Sequence, residues 1–97
     1  MIKLFASQPM RGRSDEEIAA EREYAKAAAE RILNEDVEVI DSFFQGGDME
    51  PLEYLGESLK LLAGAGWAWF CDGWDEARGC KIENTCAREY GISILHS

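Results

Sequence analysis

Basic side chains are scarce in this sequence: 10 Lys and Arg stand against 19 Asp and Glu, for a net charge of −9. A surface that acidic repels phosphate polymers, which argues against a DNA- or RNA-binding module. It leaves room for a small nucleotide in a locally positive pocket. Cysteine is sparse as well. Cys71, Cys80 and Cys86 are odd in number and match no metal-binding or redox spacing, so no metal site is expected. Cys80 and Cys86, six apart on one expected helix, point to different sides, which disfavours a bridge between them. Buried thiols in a reducing compartment fit better than a disulfide framework. The lone histidine, His96, is assigned no role. No apolar run approaches the roughly 20 residues that span a bilayer, and the first residues enter a strand-like run with no basic leader. A soluble cytoplasmic protein with no membrane partner is expected. Neither a Walker loop nor a GxGxxG motif is present, so neither ATP hydrolysis nor a dinucleotide is indicated, and no cofactor is expected. Repeats, linkers and low-complexity segments are absent too.

What is present is a core. With 46% hydrophobic and 10% aromatic residues over 97 positions, disorder is excluded and residues 1–97 form one domain. A chain of this size buries roughly 60–65% of its unfolded surface. Residues 2–6 read as strand one, followed by the irregular SQPMRGR. Ser14 with Glu17 makes a capping box for a helix that runs to about Asn34. Ile18, Ala25, Ala28, Ala29 and Ile32 share one face of that helix, and a face so rich in alanine implies close packing against a sheet. Residues 37–41 are strand two, ending at Asp41. A loop with Gly46-Gly47 follows, then a helix from Pro51 with Leu52, Leu55, Leu59 and Leu62 at helical spacing. Residues 66–71 are apolar on both faces and suit an inner strand of a parallel sheet. A third helix closes at Gly91, and residues 92–95 form strand four.

Strand and helix thus alternate through three crossovers. The expected fold is a small Rossmann-like three-layer α/β sandwich, a four-stranded parallel sheet in order 2-1-3-4 with three helices. Ligands bind such sheets beyond the carboxyl ends of the strands, where strand order reverses, here between strands one and three. Ser7 to Arg13, Asp41, and Asp72 to Glu83 would then face one crevice.

Two features there suggest chemistry. The first loop sets Ser7, Arg11, Gly12 and Arg13 ahead of a helix N-terminus, which suits a phosphate; equally, its arginines pair with nearby carboxylates. Glu83 has Gly79 at i−4 and Ala87 at i+4, a strip with little bulk that a ligand can approach. With Asp72 it makes a carboxylate pair suited to displacement at an anomeric carbon. Against that stand a solvated helix glutamate and a plain strand-end aspartate. Trp69, Trp74 and Tyr90 read either as core or rim or as platforms for a base, and Phe43 and Phe44 either roof a base or anchor a loop.

SQPMRGR after a strand, together with GWDEARGCKIENTCAREYGISI, resembles the nucleoside 2-deoxyribosyltransferase-like superfamily, nearest to its small phage or bacterial members without assigned activity. The resemblance implies a Rossmann-like fold, cleavage or exchange of the N-glycosidic bond of 2′-deoxynucleosides, and Glu83 as nucleophile with Asp72 assisting. The first loop is similar to the phosphate loop of the deoxynucleoside 5′-monophosphate N-hydrolases, which implies substrate contacts from Ser7, Gln8, Met10, Arg11, Gly12 and Arg13. Asp41, Trp74 and Gly79 complete the implied binding set. The partner so implied is a small nucleoside or nucleotide. Departures are Ala77 where the family has a serine, Gln8 where it has a glycine, a bulky Trp67 and Trp69, and a short chain. The proven transferases complete their sites with a neighbouring subunit, so a homodimer or higher homo-oligomer is expected. Three functions remain open: a glycosidase or transferase, a module that binds nucleotides without chemistry, and a structural domain that only oligomerises.

Overall fold

The computed structural model describes residues 1–42 and 49–97. The expectations for Phe43, Phe44 and Gly46-Gly47 lie outside the described residues. In chain order the elements are β1 (Ile2–Ser7), α1 (Asp15–Leu33), β2 (Val37–Val39), α2 (Pro51–Ala63), β3 (Trp67–Phe70), a 3₁₀ turn (Trp74–Glu76), α3 (Arg78–Glu89) and β4 (Ser93–His96). All pairings are parallel, and the sheet order is β2-β1-β3-β4. This is the small Rossmann-like α/β fold that the alternation of elements implied.

Period-two alternation along β1 and β3 divides the core in two. Leu4, Trp69 and Cys71 face Ala25, Ala28 and Ala29 of α1. Phe5, Ala68 and Phe70 face Leu62 of α2 and Ala87 of α3 on the other side. Helices therefore cover both faces, which is why β3 carries apolar residues at every position. Alanine on the inner face of α1 lets that helix lie close to Trp69. Ile32, expected on the same face, is exposed. A 19-residue helix is about 28 Å long and a six-residue strand about 20 Å, so the last turn of α1 outruns the sheet.

Local signals fix the helix ends. Ser14 Oγ accepts from the Glu17 amide at 3.1 Å, and the Glu17 carboxylate accepts from the Ser14 amide at 3.0 Å. The two bonds complete the capping box of α1. Asn34 closes this helix in the left-handed region at φ 55. At the end of α3, Gly91 takes φ 75 and the Ile92 amide bonds the Ala87 carbonyl at 2.9 Å. That is the Schellman arrangement, and it delivers Ile92 back into the apolar layer beside Ala87. Gly73, with φ 86, turns the chain after β3 within 3.5 Å of the Pro9 ring, measured from where a β-carbon would stand. A side chain there meets both an unfavourable backbone region and the first loop. This approach brings the loops after β1 and β3 side by side.

Candidate functional site

β1 and β3 run in register to Ser7 opposite Phe70, and both chains then leave the sheet on the same side of the molecule. Strand order reverses between them, so their loops splay apart and a cleft of about 400 Å³ opens. That volume lies within the range typical of small-molecule sites. Its floor is Ser7 and Glu83, and its walls include Met10, Pro51, Tyr54 and Leu55. Among the described residues no basic side chain lines it.

Glu83 is buried, at 7% exposure, on the inward face of α3. Ser7 Oγ donates to Glu83 Oε1 at 2.6 Å. Burial pushes the Glu83 carboxyl above the ordinary glutamate range, while hydrogen bonds from Ser7 and from Ser58 of α2 pull it back. Cys80, one turn earlier on α3, also lines the cleft and reaches Ser7, and burial pushes its thiol up to about 11. Cys71 is pushed up to about 12, chiefly by burial and then by the nearby Glu21 charge. Both stay protonated at neutral pH, and Cys71, Cys80 and Cys86 are all free thiols.

The other expected site residues divide among neighbouring places. Arg11, Arg13 and Asp72 line a second groove with Glu76 and Arg78. It meets the first cleft along Pro9, Met10, Ala77 and Gly79. Asp72 is exposed, two residues beyond β3. Gly79 borders both spaces, at the second position of α3, and nothing lies within 4 Å of where its β-carbon would stand. Met10 borders both as well. Gly12 supplies a left-handed turn at φ 78. Asp41 lies two residues past β2 on a separate shallow groove with Arg22, Lys26 and Glu38. Trp74 is half-buried, tilted against Phe70 at 5.6 Å between ring centres. It packs with the apolar layer and lines neither space. Trp69 stacks on His96 at 4.4 Å, and Tyr90 is exposed.

A polar network, of which the sequence suggested only the pairing of a loop arginine with a nearby carboxylate, ties the first loop down. Gln8 Nε2 donates to the Ile18 carbonyl and to Glu21 Oε1, both at 3.0 Å. Arg13 Nη1 donates to the same Glu21 oxygen at 2.6 Å and to the Pro9 carbonyl at 3.0 Å. Arg22 Nε donates to Gln8 Oε1 at 2.6 Å, and Nη2 donates to Ser42 Oγ at 2.6 Å. Arg22 thus joins the carboxyl ends of β1 and β2 through side chains that border the cleft. The only available signal was the one-face spacing of Gln8's partners Ile18, Glu21 and Arg22 on α1, and nothing in that spacing names Gln8. Ser42, just past β2, was likewise unmarked, as were Tyr54, Ser58 and Cys80, which reach the cleft only through the packing of α2 and α3.

The N-cap of α3, Ala77, makes no side-chain hydrogen bond, and the first amide of this end to bond back is that of Lys81, to the Ala77 carbonyl. Among the described residues no group of three or more His, Cys, Asp or Glu is placed to hold a metal ion, and no helix is long and apolar enough to cross a membrane. No protein-family model matches the chain, and no curated protein matches it.

Proposed function

We propose that this chain binds a 2′-deoxynucleoside, or its 5′-monophosphate, in the cleft and cleaves or exchanges the N-glycosidic bond through Glu83. The observation that carries the reading is a buried carboxylate, held by Ser7 where strand order reverses, at the floor of a nucleoside-sized cleft with apolar walls. In the first step a Glu83 oxygen forms a bond to C1′ while the C1′–N bond breaks. The electron pair leaves with the base, which takes up a proton. Water or a second base then attacks C1′ of the glycosyl ester and releases the carboxylate. The reaction so written calls for neither metal nor cofactor.

Asp72 sits in the adjoining groove, where it would orient the sugar or manage the proton of a substrate that extends past Gly79. Arg11, with Arg13 paired to Glu21 behind it, would meet a 5′-phosphate there. The free thiols suit a reducing cytoplasm. Exposed Leu52 on α2 and Ile82 on α3 border one shallow apolar groove, which supports a homo-oligomer.

The test is chromatography for free base after incubation with a panel of deoxynucleosides and their 5′-monophosphates, with Glu83→Gln beside the wild type. Base should appear with the wild type and fall by on the order of 10³-fold or more in the variant. Equal release from both proteins would end the nucleophile assignment.

A second reading, a module that binds a nucleotide without turning it over, is favoured by one observation. Gln8 and Arg13 are both held in the protein's own network, and Ala77 adds no hydroxyl. Calorimetry separates the two: saturable binding with no base released supports the module.

A further inference from the structure

Glu83 has one hydroxyl hydrogen-bonded to it and a second beside it in the cleft, from two different elements. Ser7, 2% exposed at the end of β1, donates to Glu83 Oε1 at 2.6 Å. Ser58 of α2 lines the same cleft as that carboxylate and acts on it as a donor. Cys80 lies beside Ser7, one turn from Glu83 on α3. A serine has one proton to give and two lone pairs to receive with. That proton cannot serve both the carboxylate and the sulfur. The carboxylate is the stronger acceptor, and the short distance to Oε1 shows where the proton goes. Cys80, protonated at neutral pH, makes no claim on it.

We propose that Ser7 and Ser58 are positioning residues that cradle the Glu83 carboxylate in its attacking state. The inference rests on Glu83 being the reactive carboxylate of the preceding reading. Its physical basis is that a buried carboxylate with no cation beside it must draw its charge stabilisation from donors alone. Among the described residues the cleft supplies those donors and no basic side chain. The titratable groups that face Glu83 are Tyr54 from α2 and Cys80 from its own helix. Glu21 of α1 stands behind Gln8. None of these is a basic side chain, so none can substitute for the hydroxyls as a source of positive charge.

The test is a carbon-13 titration of the Glu83 side-chain carboxyl, assigned by its absence in Glu83→Gln. The proteins compared are the wild type, Ser7→Ala, Ser7→Thr and Ser58→Ala, with circular dichroism to verify the fold. The midpoint should move upward in Ser7→Ala and in Ser58→Ala, and return toward the wild-type position in Ser7→Thr, which keeps the hydroxyl. An unmoved midpoint in a folded Ser7→Ala overturns the proposal. Should that variant fail to fold, Ser58→Ala decides alone, an upward move supporting the cradle and an unmoved midpoint overturning it. This readout needs no substrate, so a protein that releases no base but shifts as stated loses the glycosidase reading and keeps the cradle. If base is released, the acid limb of the rate profile should move with the midpoint.

Discussion

At the scale of single residues, the conflict is between charge and burial at Glu83. A glutamate whose folded pKa is raised above its ordinary value of 4.5 binds more protons folded than unfolded across that interval. Its contribution to stability is therefore full below the ordinary value and is lost as pH rises through the folded value. Glu83→Gln keeps the shape and an acceptor for Ser7 but never ionises. Measured by urea unfolding from pH 4 to 8, the variant should gain on the wild type as pH rises and end more stable at neutral pH. Parallel curves for the two proteins would mean that Glu83 pays no folding penalty for its charge. The exposed Glu17 shows the opposite environment. There the Ser14 backbone amide, and then its hydroxyl, hold the carboxyl below the usual range.

At the scale of elements, α1 and α3 are finished differently at their N-termini, and the difference lies at the cleft. α1 has a complete capping box and three acidic residues in its first turn. α3 begins with Ala77 and Arg78 and then Gly79, with no acidic residue in its first turn. Glycine costs a helix about 0.5–1 kcal/mol against alanine, and an uncapped start leaves amides without a partner in the helix. Gly79 borders the cleft, the arginine groove and the apolar groove between α2 and α3. Open space surrounds its missing β-carbon. Gly79→Ala should therefore raise stability by about 0.5 kcal/mol in urea. By placing a methyl group where the three spaces meet, it should also weaken nucleotide binding in calorimetry. A gain in stability with unchanged binding would show that no ligand passes over this turn.

At the scale of the whole molecule, a sheet of four strands leaves β2 and β4 as edges, and α2 leaves Leu52 at 77% exposure. Unpaired edges and exposed apolar side chains favour association, while a net charge of −9 opposes it at low salt. The oligomer proposed above should thus strengthen as salt screens that charge. Light scattering at low and at physiological salt checks this, and a strictly monomeric mass in both would remove the oligomer from the reading.

The fold was legible in the sequence because its signals are local. Ser14 and Glu17 sit three apart, Gly91 follows a helical run, and residues 67–70 are apolar at both parities. Each such feature is settled by backbone geometry within a turn or two, and strand order followed from alternation and crossover rules. Glu83, Ser7 and Asp72 could also be marked, by their places at element ends and by family likeness. What separated them was tertiary. Glu83 and Ser7, 76 residues apart in the chain, meet at 2.6 Å, whereas Asp72 falls in the next groove and Asp41 on another side of β2. The hold of Gln8 on α1, the pairing of Arg13 with Glu21 and the approach of Ser58 are of the same kind. A side chain's residue type states what it can donate or accept. Which partner it meets depends on how helices seat on a sheet, and that is decided by the packing of the entire core.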